Sequence, residues 1–320
     1  MNNLLMPFFQ TPISSISALA CIRILGYKQL LREHEMQINV LHFQLIHSTF
    51  EETKLIIESC YGTEYLQACG YSFNSSLKKV QVGGLVFLYL PTRQDDLGQH
   101  FAPLLLTHFL RCYQLLLLLK GYYIRGVIDI GNIAREPDSF ITSQLEFLLA
   151  QEKKAKYPRI ILSPKTFSQI TTTQVWQPRS NPSFLVQTDE SESEKVFFIN
   201  PLYYQDFWKQ GQLKLQQNVN SLYIQPSESS PPFVEWWNTG IQVTQKLLEI
   251  AQEFRQSYLE ANQKHINTYL KTLVGNQLLK YSFSPAIRQK YEWLFNFILW
   301  TEQAEITSPS SPFAYYGPTN

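Results

Sequence analysis

Two neighbouring stretches decide the fold: RGVIDIGNI at residues 125–133 and FITSQLEFLLAQEKKAKYPRIILS at residues 140–163. The first is rich in β-branched residues and predicts a strand over Tyr122–Gly131. The second predicts a helix over Ser139–Ala155, with Ser139 as the N-cap, and then a short strand over Arg159–Leu162. The other strands and helices of the chain have to be arranged around this strand–helix–strand unit.

The preceding 100 residues continue the alternation of strands and helices. The stretches with these patterns are SALACIRIL (17–25, strand), residues 30–53 (helix), KVQVGGLVFLYL (79–90, strand) and residues 98–120 (strongly apolar helix). Within the second strand, Gly83 and Gly84 predict a bulge or the close approach of another group to the backbone. The order of elements predicts an α+β fold with one sheet covered by helices on one face.

The C-terminal third has a different pattern. Residues 227–232 read SESSPP, which is typical of a linker, and apolar residues then recur at helical spacing up to about residue 303. The chain therefore divides into an N-terminal segment (1–16), an α+β domain (17–226), a C-terminal helical region (233–305) and a tail (306–320). Four tryptophans in the helical region fit either core packing or a docking surface for a partner: Trp236, Trp237, Trp293 and Trp300.

Composition excludes several classes of protein. The 320 residues carry 27 Lys and Arg against 26 Asp and Glu, so the net charge of +1 gives no indication of binding to nucleic acid or to an anionic membrane. The most apolar stretch, residues 103–119, contains polar residues and is shorter than a membrane span. The four cysteines have no metal-like or disulfide-like spacing, which favours reduced thiols in a cytoplasmic protein.

No motif for a phosphate-binding loop, a zinc protease, a serine hydrolase or an EF-hand occurs in the sequence. The histidines form no metal-binding pair at a useful helical spacing. From the residues alone we therefore expect no metal and no cofactor, and no residue is assigned a catalytic role.

Residues 125–163 resemble a signature of bacterial proteins with a class III nucleotidyl (adenylate or guanylate) cyclase-like domain. The similarity extends to ACIRILGYKQLL at residues 20–31, VQVGGLVFL at 80–88, FFINPL at 197–202 and KYEWL at 290–294. The resemblance covers most of residues 18–300. It implies a ferredoxin-like palm, with a βαββαβ sheet in the strand order 4-1-3-2, and it implies a dimer with sites shared across the interface.

The resemblance also implies two aspartates that hold two divalent metals, and this sequence departs from the family at both. The first position is Arg23 and the second is Gly84. An arginine stays protonated and has no lone pair for a cation, and a glycine offers only backbone atoms. We therefore expect a degenerate family member, a pseudoenzyme that lacks the two-metal centre.

Arg23 has two interpretations: it is paired within the sheet, or it binds phosphate where the metals would lie. The pairing hypothesis predicts an ion pair with Asp129 on the neighbouring strand, because a charge inside a strand needs a partner. The residues that the resemblance would place near a nucleotide are Gly26, Gly83, Arg125, Gly131, Ser143 and Gln144.

Three functions remain open. The first is an inactive cyclase-like protein that senses a nucleotide, regulates or acts as a scaffold; the resemblance implies bacterial second-messenger signalling or phage defence. The second is the non-metal-binding half of a heterodimeric cyclase, although the helix over residues 139–151 lacks the polar pair that such a half needs. The third is a structural subunit of a larger assembly. All three predict a homo- or hetero-oligomer through the cyclase-like domain or the C-terminal helices.

Overall fold

We describe a computed structural model of the chain. The residues it describes are 14–28, 36–61, 66–67, 70–72, 76–92, 96–136, 139–141, 144–171, 186–189, 195–202 and 263–302. Every structural statement below concerns these ranges. The predicted linker at 227–232 and tail at 306–320 lie outside them, as do Ser143, Trp236 and Trp237.

Eight strands form one mixed sheet within the described residues. They are β1 (Ser14–Ile24), β2 (Lys78–Val82), β3 (Leu85–Pro91), β4 (Ile124–Glu136), β5 (Ser139–Ile141), β6 (Ile160–Leu162), β7 (Val186–Asp189) and β8 (Val196–Ile199). The spatial order is β2-β3-β1-β4-β6-β8-β7, and β5 pairs with β4. The β4–β6 pair is parallel and the other pairs are antiparallel.

The first four strands confirm the predicted palm. With the two long helices between them, α1 (Met36–Tyr61) and α2 (Asp96–Leu119), they give the chain order βαββαβ. Read from β4, their spatial order is β4-β1-β3-β2, which is the 4-1-3-2 order of the ferredoxin-like arrangement. β1 lies at the centre with β3 on one side and β4 on the other. This strand order is the observation that establishes the α+β palm class.

The two faces of the sheet can be told apart by register. Lys79, Leu88, Ala20 and Ile128 lie in one cross-strand row, and the Lys79 ammonium lies 4.5 Å from the ring of Phe50 in α1. This row therefore faces the long helices. The alternate residues of β1 and β4 face the other way, because side chains alternate along a strand. That second face contacts α3 (Leu145–Lys154), so the helices are not confined to one face.

Helix α2 is the core of the domain. Its segment Phe101–Leu119 is long and apolar enough to cross a membrane, with a mean hydropathy of 1.5 in its most apolar part, and it is completely buried inside the protein. Phe50 of α1 packs edge-on against Phe109 and Tyr113 of α2. The interpretation of this segment as a buried helix accounts for both its composition and its position.

The structure differs from the local expectations at two places. Gly83 and Gly84 form the two-residue turn of the β2–β3 hairpin rather than a bulge within one strand, and Gly83 has the positive φ of 58° that such turns require. The alternative expectation, the close approach of another group, is confirmed at Gly84, which Tyr27 approaches. Ser139 does not cap a helix, since Ser139–Ile141 pairs with β4 as β5. Helix α3 begins six residues later, at Leu145.

The C-terminal region contains α5 (Gln263–Lys280) and α6 (Pro285–Glu302), which follow the short helix α4 (Pro164–Thr171). Trp293 of α6 is buried and stacks on Tyr157, with ring centroids 5.3 Å apart. This favours the core-packing interpretation for Trp293, and α6 is anchored to the sheet domain through it. The division of the chain into domains stays a prediction, although β1 already begins at Ser14, inside the predicted N-terminal segment.

Candidate functional site

Arg23 and Arg125 lie directly opposite each other on the central strands β1 and β4. Side chains of opposite residues project from the same face with Cβ atoms about 5 Å apart, and two like charges in such a pair destabilise a sheet. An anionic group has to lie between them. The expected partner, Asp129, is not that group.

The predicted ion pair between Arg23 and Asp129 is wrong. Asp129 lies opposite Leu19, four residues from Arg23 along β1. The two side chains share a face, but four residues of strand separate them by about 13 Å. Asp129 instead accepts a hydrogen bond from the Ser163 hydroxyl, which also accepts one from the backbone N–H of Thr166 at the start of α4.

The anion between the arginines is Glu152 of α3. Its Oε1 atom accepts a hydrogen bond from Nε of Arg23 at 2.8 Å and another from Nε of Arg125 at 2.7 Å. The Glu152 side chain is fully buried, whereas the side chains of Arg23 and Arg125 are 35% and 15% exposed. One carboxylate thus holds two guanidinium groups, and the set carries a formal net charge of +1. We call these three residues the arginine cluster.

The cluster is open on one side. Both arginines use Nε toward Glu152, and within the described residues their terminal Nη atoms have no hydrogen-bond partner. The Oε2 atom of Glu152 is buried and likewise has no partner there. Burial and the positive charge of Arg125 lower the pKa of nearby Lys290 in α6, and the charge of Glu152 opposes that shift. Lys290 therefore adds a third cation beside the cluster.

Gly84 lies next to the cluster, because its carbonyl oxygen accepts a hydrogen bond from the backbone N–H of Ile24 at 2.9 Å. Tyr27 covers it: a Cβ atom at position 84 would lie 2.7 Å from Cγ of Tyr27, closer than side chains allow. The Tyr27 ring is held in turn by an edge-on contact with Phe43, with centroids 5.6 Å apart. An aspartate at position 84 would collide with this ring unless Tyr27 moved.

The donor set does not fit two divalent metals. The two positions that the resemblance assigns to aspartates carry a guanidinium and a covered glycine, and hard cations need carboxylate or carbonyl oxygens. Within the described residues, no group of three or more His, Cys, Asp or Glu side chains could hold a metal ion. The chemistry that the arginine cluster offers is the binding of an anion.

The residues that the resemblance placed near a nucleotide separate into two groups. Arg125 belongs to the arginine cluster, and Gly83 and Gly26 lie at the adjoining ends of the strands. Gly131 and Gln144 lie against each other, since a Cβ atom at Gly131 would collide with Oε1 of Gln144. Gly131 lies six residues along β4 from Arg125, a distance of about 20 Å. Gly131 and Gln144 therefore do not contribute to the arginine cluster.

Sequence reasoning missed Glu152, Tyr27 and Lys290. A signal existed for Glu152, because it follows Leu148 by four residues and these two are the buried residues of α3. A charged residue on the buried face of a helix predicts a buried counter-charge. No local pattern indicated that Tyr27 would cover Gly84 or that the charges of Arg125 and Glu152 would influence the pKa of Lys290.

No protein-family model and no curated protein matches the chain. Among solved structures, it is similar to the adenylyl cyclase CyaB from P. aeruginosa, with a TM-score of 0.36, 12% identity, 58% of this chain and 94% of that chain covered. It is also similar to the guanylyl cyclase domain of the RhoGC fusion protein from Blastocladiella emersonii (TM-score 0.36, 11% identity, 58% and 96% covered). A third similar structure is a bacterial light-regulated adenylyl cyclase, with a TM-score of 0.34, 12% identity, and 66% of this chain and 100% of that chain covered.

Proposed function

We propose that this chain is a catalytically inactive, cyclase-like protein that binds the phosphate of a ligand at the arginine cluster and acts as a sensor, regulator or scaffold. The observation that carries the proposal is that positively charged side chains lie where the resemblance would place metal ions. Arg23 and Arg125 share the single carboxylate of Glu152, whereas the resemblance would require two aspartates.

Geometry supports anion binding over a purely structural role. A guanidinium has five N–H donors in a planar fork that matches phosphate oxygens. Here Glu152 engages only the Nε–H of each arginine, so the Nη–H donors of two adjacent forks remain for a ligand. Glu152 also fixes both forks before a ligand arrives, which lowers the entropic cost of binding. The partial exposure of Arg23 gives the ligand access.

Under this proposal the protein acts in a bacterial cytoplasm, and the ligand is a phosphorylated compound such as a nucleotide. The cyclase-like domain or the C-terminal helices would form the interface with a second copy or a partner protein. A role in second-messenger signalling or antiviral defence follows from the resemblance alone. The proposal assigns no catalytic residue.

The test uses the purified full chain. Tripolyphosphate and the four nucleoside triphosphates, with and without Mn²⁺, are titrated by calorimetry, and the same samples are assayed for cyclic nucleotides. We expect binding that does not need Mn²⁺, weakens with added salt and is accompanied by no cyclic product. Arg23→Gln should weaken tripolyphosphate binding about tenfold or more, the equivalent of one lost charged hydrogen bond.

Arg288→Gln is the matched control, because Nε of Arg288 also donates to a glutamate, Glu292, but on the exposed surface of α6. It should leave tripolyphosphate binding unchanged. Equal effects of the two substitutions, or no binding by the wild type, would remove the proposal. Cyclic product formed by the purified chain would replace it with the heterodimer or enzyme alternative.

A second test concerns the lost metal centre. Arg23→Asp with Gly84→Asp should fail to create Mn²⁺ binding, since Tyr27 occupies the space of a side chain at position 84. Adding Tyr27→Ala to these two changes should allow Mn²⁺ to bind. Calorimetry with Mn²⁺ on both variants measures the difference, and Mn²⁺ binding by the double variant would show that Tyr27 is no obstacle.

A further inference from the structure

A cavity of about 200 Å³ lies where β1 ends and β4 begins, beside α5 and α6. It is separate from the arginine cluster, since none of Arg23, Arg125 and Glu152 lines it. Pockets for drug-sized ligands measure roughly 300–1,000 Å³, so this cavity suits a smaller group, such as one planar ring with a substituent. We call it the tyrosine pocket.

Two glycines keep the pocket open. Gly26 and Gly121 both line it, and both have a positive φ, of 74° and 80°. A Cβ atom added at either position would have no heavy atom within 4 Å, so the space beside each glycine is open. Because a positive φ favours glycine, which has no side chain, each of these two turns leaves the space beside it unfilled.

Aromatic rings form one wall. Tyr281 and Tyr291 are stacked with centroids 5.7 Å apart and an interplanar angle of 9°, and Tyr123 meets Tyr291 edge-on at 4.9 Å. All three line the pocket. Burial raises the pKa of Tyr123 and of Tyr291, so both hydroxyls stay neutral at physiological pH. Such a wall favours a planar ring, which can stack on tyrosine or meet it edge-on.

The polar groups of the pocket carry a positive charge at its rim. The ammonium of Lys120 donates to Glu52 at 2.6 Å and to Thr49 at 2.9 Å, so its charge is balanced within the protein. Lys280 is exposed, and its ammonium lies 5.5 Å from the ring of Tyr281. Gln277, one turn earlier on α5, adds an amide that both donates and accepts.

From these observations we infer that the tyrosine pocket is a second binding site, which takes a small aromatic anion: a planar ring that bears a carboxylate or a phosphate. The ring lies against Tyr281 and Tyr291 in the space beside Gly26 and Gly121, and the anionic group meets Lys280 and Gln277. This site is independent of the phosphate site proposed for the arginine cluster.

The test uses the full-length Arg23→Gln variant, so that anion binding at the arginine cluster is weakened. Four probes are titrated by NMR: benzoate and phenyl phosphate, which combine ring and anion, benzamide, which lacks the charge, and inorganic phosphate, which lacks the ring. We expect phenyl phosphate to bind at least tenfold more tightly than inorganic phosphate, and benzoate more tightly than benzamide.

Lys280→Gln should weaken benzoate binding about fivefold to tenfold and leave benzamide unchanged, since it removes only the charge. Tyr281→Leu should weaken both ring compounds. Lys78→Gln, at an exposed lysine of the edge strand β2, is the control and should change neither. Equal effects of Lys280→Gln and Lys78→Gln, or equal affinity for phenyl phosphate and inorganic phosphate, would overturn the inference.

Loss of phenyl phosphate binding in Arg23→Gln, with retention in the wild type, would place that ligand at the arginine cluster. This outcome would overturn the tyrosine pocket as a site for aromatic anions and support the proposed function. If the aromatic anions bound to the tyrosine pocket of Arg23→Gln but tripolyphosphate did not bind to the wild type, the inference about the tyrosine pocket would stand and the proposed function would fail. The two proposals therefore fail separately.

Discussion

The described part of the chain contains two clusters in which arginine meets a buried carboxylate, and they are built differently. In the second one, Arg159 is fully buried: it donates through Nη1 to Asp189, and through Nε to the carbonyl oxygen of Ala155 at 3.1 Å. Trp293 donates from Nε1 to the same Asp189 oxygen at 2.9 Å. This Asp189 cluster has one cation for one anion, whereas the arginine cluster has two cations for one anion and one open side.

Aromatic rings complete the enclosure of Arg159. Its guanidinium carbon lies 5.0 Å from the ring centroid of Tyr157 and 5.2 Å from that of Trp293. Since these rings come from the α3–β6 connection and from α6, the Asp189 cluster joins the C-terminal helices to the sheet. An enclosed pair of opposite charges therefore stabilises the fold, whereas the accessible arginine cluster, with its excess of positive charge, is available for a ligand.

The largest expected effect is that of Asp189→Asn. The substitution keeps the size of the side chain but removes the negative charge to which the buried Arg159 donates, so we expect a loss of about 3–5 kcal/mol in the free energy of unfolding. Urea denaturation of the full chain measures it. Glu292→Gln in the exposed Arg288–Glu292 pair is the control and should cost less than about 0.5 kcal/mol. A loss under about 1 kcal/mol for Asp189→Asn would contradict the structural role.

Glu152→Gln tests the open cluster. It leaves Arg23 and Arg125 facing each other without a shared anion, and we expect a smaller loss, of about 2–3 kcal/mol, because the exposed Arg23 can turn toward water. Tripolyphosphate should restore part of this stability by mass action, since it replaces the missing negative charge. Thermal unfolding with and without tripolyphosphate measures both effects, and the same addition should not rescue Asp189→Asn.

Trp293→Phe separates the hydrogen bond from the ring in the Asp189 cluster. It keeps the aromatic contact with Tyr157 and removes the Nε1–H donor to Asp189, so we expect a loss of about 1–2 kcal/mol. The effects of Trp293→Phe and Asp189→Asn should not add in the double variant, because both act on the same hydrogen bond: the first removes its donor and the second removes the charge of its acceptor. Additive losses in urea denaturation would indicate that Trp293 acts through packing alone.

The smallest expected change in stability is that of Arg23→Gln. Arg23 is partly exposed, and its removal leaves Glu152 paired with Arg125 alone, at one charge each. We expect a change of under about 1 kcal/mol in the free energy of unfolding, measured by urea denaturation. If this variant lost as much stability as Asp189→Asn, Arg23 would be a structural residue and the distinction between the two clusters would fail.

Much of the fold could be predicted because strands and helices follow local periodicity. The stretches at 17–25, 98–120 and 159–162 each contain enough apolar residues at the right spacing to specify one element. The errors fell where pairing between strands overrides local preference. Ser139 has the side chain of a good N-cap, yet its backbone pairs with β4, and helix α3 begins at Leu145.

The strands that carry Arg23 and Gly84 were predicted correctly, but the contacts of Arg23 were not. β1 lies antiparallel between β3 and β4, and the backbone of Ile24 bonds to that of Gly84. The choice of Asp129 as partner failed because an adjacent pair of strands leaves the register open, and register decides which charges meet. Here it sets Arg23 opposite Arg125, and the counter-charge comes from a helix instead.

Local periodicity in the sequence was enough to predict an α+β fold, because it depends on neighbouring residues alone, and the resemblance added the palm and the two positions at which it implies metal-binding aspartates, Arg23 and Gly84. Tertiary packing was needed to show that Glu152 joins two arginines, that Tyr27 covers Gly84, and that the charges of Arg125 and Glu152 act on Lys290 of α6. These interactions link residues up to 165 positions apart in the sequence. They exist because the packing of helices on the sheet fixes which side chains share one space, and no local pattern encodes that geometry.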